Sequence, residues 1–176
     1  MALLEQAAAF SRPLLEQRIV RRVRRNHGLE HATIHMLSRH RYQLSGRSDE
    51  SGFVLMGEVP TDKVESAVRE ALRRMQNGEH GLAIHPNCGT NLVTGGVLTT
   101  LIALLGFAGR GRRGAWDRFP VVMAFMMAAI LFSQPLGMSL QRHFTTDGIP
   151  GDLQIVAVTR SQMVLPFKRQ PITLHR

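Results

Sequence analysis

Two long stretches of the sequence carry no charged residue, and they constrain the fold more than any other feature. The first covers residues 92–109 (LVTGGVLTTLIALLGFAG) and the second residues 120–140 (PVVMAFMMAAILFSQPLGMSL). About 20 apolar residues, at about 1.5 Å per residue, cross a bilayer core of about 30 Å. The stretches therefore predict a two-helix transmembrane hairpin, joined by a polar loop at residues 110–119. Two buried core helices are the alternative, but a chain of 176 residues rarely builds a core that holds both.

The N-terminal segment of residues 1–25 is strongly basic. The chain has 22 Lys and Arg against 13 Asp and Glu, a net charge of +9, which points to anionic partners. Leu15, Ile19 and Val23 are four residues apart and would form one apolar stripe on a helix. Arginines would cover the other faces of that helix. This predicts a basic amphipathic helix at an anionic lipid surface. Nucleic-acid binding is disfavoured, because no aromatic interleaving or known binding module accompanies the arginines.

The remaining residues predict a small α+β domain interrupted by the hairpin. Residues 26–90 form its first part, residues 91–141 the hairpin, and residues 142–176 return as strands to the same sheet. Apolar periodicity and turn residues predict a helix over 27–38 with Asn26 as N-cap, strands over 42–45 and 53–59, a helix over 61–77 and strands over 81–85, 153–159 and 172–175. The fold class is therefore a mixed helix and sheet domain with an inserted two-helix membrane hairpin.

Two clusters of metal-ligand residue types lie in the first part of this domain. His27 and His31 are one helical turn apart, so both rings project from one face, with Glu30 beside them in an H-x-x-E-H pattern. His85 and Cys88 supply a second nitrogen and a sulfur at the entrance to the first apolar stretch. Imidazole and thiolate are the ligands that zinc prefers. Because Cys88 is the only cysteine, a disulfide framework is excluded.

These residues leave several interpretations open. His27, His31 and Cys88 alone would leave an open position for a water, whereas addition of His85 would close a structural site. His35 extends the stripe and is either a further ligand, a support for one, or an exposed residue. The ordinary alternative is a polar helix stripe, a His-Pro turn and a small buried thiol. We predict metal binding, because two ligand clusters occur in one small domain.

The blocks HGLEHATIHML, GFVLMGEV, EALRRMQNGEH and LAIHPNCGTNL resemble an uncharacterised membrane-protein family of phototrophic bacteria. The likeness runs from residue 26 through the first apolar stretch, and HGLEHAT and HPNCGTN are its most specific parts. The resemblance implies no established activity. Beyond five residues the chain does not match the zinc peptidases with the H-x-x-E-H motif, since their downstream acidic ligand has no counterpart.

These observations predict a zinc-binding protein of the bacterial inner membrane, acting as an accessory subunit or maturation factor of a membrane complex. One alternative is a membrane-bound zinc hydrolase, with Glu30 activating a metal-bound water. Another is a structural membrane adaptor without metal. Arginines in the loop favour a cytoplasmic loop. Residues 1–90 show no secretory signal pattern, and their basic helix favours the anionic cytoplasmic leaflet, so we predict cytoplasmic termini.

Overall fold

The structure is a computed structural model, and it describes residues 2–109, 111–161 and 171–175. The chain forms two compact units. The first unit comprises Met1–His85 together with Arg142–Arg176, and the second comprises Pro86–Gln141. Among the described residues, the helices of the first unit are α1 (Ala2–Leu15), α2 (Arg18–Ser38) and α3 (Thr61–Gln76). Its strands there are β1 (Ser45–Ser48), β2 (Gly52–Met56), β3 (Ala157–Arg160) and β4 (Pro171–His175). The second unit contains helices α4 (Gly89–Phe107) and α5 (Arg112–Leu140).

The four strands form one antiparallel sheet in the order β1-β2-β4-β3. Strand β2 is central: Leu55 pairs with Gly46 of β1 on one side and with Ile172 of β4 on the other. Strand β3 completes the sheet through the pairing of Val158 with Leu174. The strands that follow α5 in sequence therefore join the strands that precede α4, and the predicted mixed helix and sheet class is confirmed.

The core of the first unit lies between the sheet and helices α2 and α3. Helix α3 buries the residues at helical spacing that its sequence pattern predicts, namely Val64, Val68, Ala71, Leu72 and Met75. Strand β2 buries Phe53 and Leu55, two positions apart as one face of a strand requires. Helix α2 adds Leu29, Ala32 and Leu37 to this core. This packing holds α2 firmly, and α2 carries most of the candidate metal ligands.

Helix α2 is longer than predicted, and the predicted cap at Asn26 is wrong. The helix begins at Arg18 and continues through Asn26 to Ser38, so the basic segment and the histidine segment are one helix. Asn26 is buried, and its Nδ2 donates to the backbone oxygen of Asp49 at 2.8 Å. Asn favours helix ends because its amide competes for local backbone groups. Here the loop before β2 satisfies that amide instead.

Three strand boundaries also differ from the prediction. The first strand lies at Ser45–Ser48, after the predicted strand over 42–45 and overlapping it only at Ser45. Its pairing with β2 defines it, since it contains no apolar residues of its own. The predicted strand over 81–85 is a 3₁₀ turn at His80–Ala83, closed by a hydrogen bond from Ile84 N to Gly81 O. Strand β3 begins at Ala157 and is shorter than the predicted 153–159.

The second unit is an antiparallel helical hairpin. Gly106 of α4 lies against Val122 of α5, and further along the pair Gly95 lies against Ser133. Helix α5 begins at Arg112, so most of the predicted loop over 110–119 is helical and the connection is shorter than expected. The helix continues through Pro120. The polar residues before this proline gave no indication that they would be helical.

Large apolar side chains cover the outside of this hairpin. On both helices they point away from the neighbouring helix and are exposed: Leu92, Val93, Val97, Leu101, Leu104, Leu105, Val121, Phe125, Met127, Ile130, Leu131 and Phe132. Core helices of a water-soluble domain would bury such residues. Both helices are long and apolar enough to cross a membrane, which suggests a membrane protein.

Close packing of the hairpin should depend on Gly137 and not on Gly96. A Cβ at Gly137 would lie 2.8 Å from Asn91 Cα, whereas a Cβ at Gly96 would meet no atom within 4 Å in the described chain. We expect Gly137→Ala to destabilise the hairpin by about 1–3 kcal/mol, because the backbone of α4 has to move. Gly96→Ala should be neutral. Thermal unfolding of the detergent-purified variants measures the difference, and equal midpoints would contradict the packing.

Candidate metal centre

Four histidines of the first unit lie together. His27, His31 and His35 follow one another at four-residue spacing on α2, and the ring centroids of His27 and His31 are 4.4 Å apart. His85 reaches the same group from the chain after the 3₁₀ turn, with ring centroids 5.8 Å from His31 and 4.8 Å from His35. The sequence places three of these residues on one face of a helix, and the fold brings in His85.

Backbone carbonyl groups hold one nitrogen of His27 and of His31. His31 Nδ1 lies 2.8 Å from the oxygen of Ala83, and His27 Nδ1 lies 3.0 Å from the oxygen of Thr145. A carbonyl oxygen only accepts, so each Nδ1 carries the proton and donates it. In the neutral tautomer that these bonds favour, Nε2 is the unprotonated nitrogen of each ring, and an unprotonated nitrogen can bind a metal. Such a carbonyl behind the ring is the usual support of a metal-binding histidine.

His35 and His85 extend the cluster with different support. His35 is held through the opposite nitrogen, since its Nε2 lies 2.9 Å from the oxygen of Ile84. His85 is half-buried, and burial lowers its pKa to about 4, with His35 and His31 adding to the shift. His85 is therefore neutral at pH 7, the state in which an imidazole can coordinate a metal.

Gly28 allows the chain after α5 to approach α2 beside His27. A Cβ at this position would collide with the backbone oxygen of Asp147 and lie 3.2 Å from Ala83 Cβ. Asp147 N also donates to Arg24 O at 3.0 Å, which fixes the returning chain along the helix. This contact brings the Thr145 oxygen to His27, so the glycine between the two metal-ligand candidates has a packing reason.

Glu30 points to the sheet. Its buried carboxylate accepts a hydrogen bond from Ser48 Oγ of β1 and lies directly over Gly46, where a Cβ would collide with it. Burial raises the pKa of Glu30, while the hydrogen bond from Ser48 and the charge of His27 act in the opposite direction. The arrangement ties the predicted general base to a strand, where it helps to join α2 to β1.

Cys88 opens the second unit, three residues after His85. It is a buried cysteine at the N-cap of α4, and its Sγ accepts a hydrogen bond from Thr90 N at 3.4 Å. The imidazoles of His27 and His31 and the thiol of Cys88 are donor groups of the kinds that could hold a metal ion. Neutral imidazole nitrogens with a thiolate fit the preferences of zinc.

Several features of this centre were not predicted from the sequence. The contact of His35 with His85 was left open, although the four-residue spacing from His31 was its signal. The supporting oxygens of Ala83 and Thr145 belong to the backbone, and no residue type marks them. His80, to which no role was assigned, has its Nδ1 2.8 Å from Gly148 O and contacts the returning chain.

Comparison with known proteins gives a family without a known activity. The model of a domain of unknown function, DUF6391, matches residues 22–158. An uncharacterised protein of Picosynechococcus sp. (strain PCC 7002) is 36% identical over 149 residues, covering 76% of this chain and 69% of the relative. No solved structure matches. The expectation of an uncharacterised family is confirmed, whereas its restriction to phototrophic bacteria stays a prediction. The chain belongs to the DUF6391 family.

Proposed function

We propose that this protein is a membrane-anchored zinc-binding protein. His27, His31 and Cys88 are the proposed ligands, and His85 is the proposed fourth. Helices α4 and α5 are the proposed anchor in a bacterial inner membrane, and the protein serves there as an accessory subunit or maturation factor of a membrane complex. The lipid bilayer and a membrane protein complex are thus its proposed partners.

The observation that carries this proposal is the pair of backbone carbonyls behind the rings of His27 and His31. They select the tautomer with an unprotonated Nε2 on both rings and remove much of the rotational freedom that binding would otherwise cost. A structural zinc ion takes four ligands in tetrahedral geometry, so His85 would complete a set of three nitrogens and one sulfur. A site filled in this way has no open position for a water, which favours a binding role over hydrolysis.

The membrane part of the proposal rests on the exposed surface of α4 and α5. Side chains such as Leu131, at 77% exposure, and Phe132, at 70%, would each cost free energy in water. In a lipid environment the same side chains are solvated, and the helix backbones keep their hydrogen bonds within the helices. The 19-residue α4 is about 28 Å long at about 1.5 Å per residue, close to the thickness of a bilayer core.

Metal analysis of the detergent-purified full chain tests the proposal. We expect one zinc ion per chain in the parent protein and loss of most of it in His31→Asn. The asparagine amide can still donate to the Ala83 oxygen in place of Nδ1, but it has no group in the place of Nε2. His40→Asn is the matched control, because His40 is exposed at the end of α2.

Two results would contradict the proposal. One is a parent protein purified without chelators that holds no metal. The other is a His31→Asn protein that keeps as much metal as the His40→Asn control. Circular dichroism of both variants shows whether α2 is still folded, so that loss of metal is not mistaken for loss of structure.

For the orientation we propose that both termini are cytoplasmic. The first unit carries the arginine-rich first half of α2, and moving such a folded, basic unit across the membrane is harder than moving a short loop. Protease added to sealed, right-side-out spheroplasts should therefore leave the first unit intact, and permeabilised cells are the control. Digestion of the first unit in sealed spheroplasts would reverse the assignment.

A further inference from the structure

A polar cavity lies in the first unit, at the opposite end of α2 from His35. Its lining consists of Arg18, Arg21, Arg22, Arg25, Asp152 and Leu153, and its volume is about 360 Å³. We call it the arginine pocket. Four arginines and one aspartate line the pocket, so its lining is positively charged. Neighbouring positive charges repel one another, and a bound anion offsets that repulsion.

The hydrogen bonds of these arginines are incomplete. Arg25 is anchored, because its Nη1 donates to Asp152 Oδ1 at 2.8 Å and its Nε lies 3.6 Å from Asp147 Oδ2. Among the residues that the structure describes, the shielded Nε–H groups of Arg22, Arg24 and Arg25 make no hydrogen bond. Arg25 Nε has the ion pair with Asp147 and Arg24 does not line the pocket, so Arg22 Nε is the donor that matters here. Buried donors without an acceptor are rare in folded proteins and indicate a missing water or ion. Next to four positive charges, an anion is the better match.

The start of α2 adds to the attraction for an anion. The helix begins at Arg18, and the side chain of its N-cap residue, Gln17, makes no capping hydrogen bond. The first backbone N–H groups of a helix have no partner within it, and the helix dipole places partial positive charge there. Arg18 and Arg21 of this first turn also line the arginine pocket. The uncapped start of α2 and the arginines of the pocket thus belong to the same segment of the helix.

We propose that the arginine pocket binds a phosphate group carried by a monoester or by inorganic phosphate. A phosphate monoester has two negative charges near neutral pH and three oxygens that match the planar fork of a guanidinium. A carboxylate has one charge and two oxygens, and Asp152 already supplies one to Arg25. Four arginines therefore match the charge and oxygen count of a phosphate better than those of a second carboxylate.

The source of the phosphate is either a lipid headgroup or a soluble compound. Helix α1, which leads directly into the pocket, favours a lipid. Leu3, Phe10 and Leu14 share one face of α1 at helical spacing and are exposed, Phe10 at 89%. A helix of this kind lies in the membrane interface with its apolar face among the lipid chains. It would bring the arginine pocket to the level of the headgroups.

Calorimetric titration of the detergent-purified full chain tests the proposal, with two probes as separate arms. The soluble probe is inorganic phosphate, compared with chloride at equal ionic strength. The lipid probe is phosphatidic acid in mixed micelles, compared with phosphatidylcholine. The pocket variant is Arg21→Gln/Arg22→Gln. Its matched control is Arg69→Gln/Arg73→Gln on α3, which removes the same charge from two exposed arginines outside the pocket.

We expect saturable binding of at least one probe, weakened about 10–100-fold in the pocket variant and little changed in the control. Preference for phosphatidic acid supports a headgroup as the source, and preference for inorganic phosphate supports a soluble compound. Equal binding by the pocket variant and the control would overturn the proposal, and so would no binding of either probe beyond chloride and phosphatidylcholine. Arg22→Lys keeps the charge but lacks the guanidinium fork, so its affinity for the phosphate probe should also fall.

Discussion

Removal of the proposed metal with a chelator should lower the thermal unfolding midpoint of the protein by roughly 8–16 °C. An ion that binds the folded chain alone stabilises it by about 4 kcal/mol when its concentration is a thousand times the dissociation constant. The effect should be large here, because the proposed ligands come from distant parts of the sequence, α2 and the chain around His85 and Cys88. Metal-binding free energy is then also folding free energy. Unfolding with and without the chelator, followed by readdition of zinc, measures the shift.

Cys88→Ser separates the thiolate from the structural role of this residue. Cys88 is the N-cap of α4 and accepts a hydrogen bond from Thr90 N, and serine is one of the best N-cap residues. The substitution therefore keeps the cap and removes the sulfur ligand. We expect the variant to lose most of its zinc and most of its sensitivity to the chelator, since a hydroxyl is a much poorer zinc ligand than a thiolate.

Two results of this experiment would count against the site. Full zinc occupancy in Cys88→Ser would exclude the thiolate as a ligand. A parent protein whose unfolding midpoint does not change with the chelator would exclude a stabilising metal altogether. In the second case the histidines would serve to pack α2 against the backbone at Ala83 and at Thr145, through their hydrogen bonds to those carbonyl oxygens.

The parts of the fold that the sequence predicted are those with a strong local signal. The two charge-free stretches fix α4 and α5, because nothing but a long apolar helix accommodates them. Helix α3 follows from the spacing of Val64, Val68 and Met75, all of which are buried. Strand β2 follows from the alternation of buried Phe53 and Leu55 with partly exposed neighbours. In each case the residues that define the pattern also make the contacts.

The parts that the sequence did not predict depend on distant partners. Asn26 has the side chain of a helix cap, and only the backbone oxygen of Asp49 allows it to lie within α2. Strand β1 contains Ser45, Gly46 and Ser48, which have little strand propensity, and its existence depends on pairing with β2. At both places a tertiary contact overrides the secondary-structure preference of the residue types. That contact cannot be predicted from the local sequence.

The same distinction applies to the candidate site. The spacing of His27 and His31 predicted correctly that they share a face, since this follows from helix geometry alone. The carbonyl groups that fix their tautomers could not be predicted, because every residue has a carbonyl and only the fold selects two of them. The sequence also could not show that Glu30, next to His31, would be hydrogen-bonded to Ser48.

Glu30→Gln should leave zinc bound and should stabilise the folded protein at neutral pH. Burial raises the pKa of Glu30, so the folded state must either bear a buried charge or take up a proton. That cost is absent below the ordinary carboxylate pKa, grows as pH rises from that pKa to the raised one and is constant above it, so the uncharged amide has the advantage at neutral pH. The amide oxygen of the glutamine can still accept the hydrogen bond from Ser48.

Ser48→Ala is the companion variant, and it should have the opposite effect. Without the Ser48 hydroxyl the buried carboxylate loses its hydrogen-bond donor, and we expect a loss of about 1–3 kcal/mol in unfolding free energy. If Glu30 were instead the general base of a zinc hydrolase, Glu30→Gln would keep the metal and lower turnover by about 10²–10⁴-fold. Peptidase and esterase assays of the parent and of Glu30→Gln therefore decide between the two roles. A parent activity that disappears in Glu30→Gln while zinc stays bound would establish the hydrolase and refute a purely binding site.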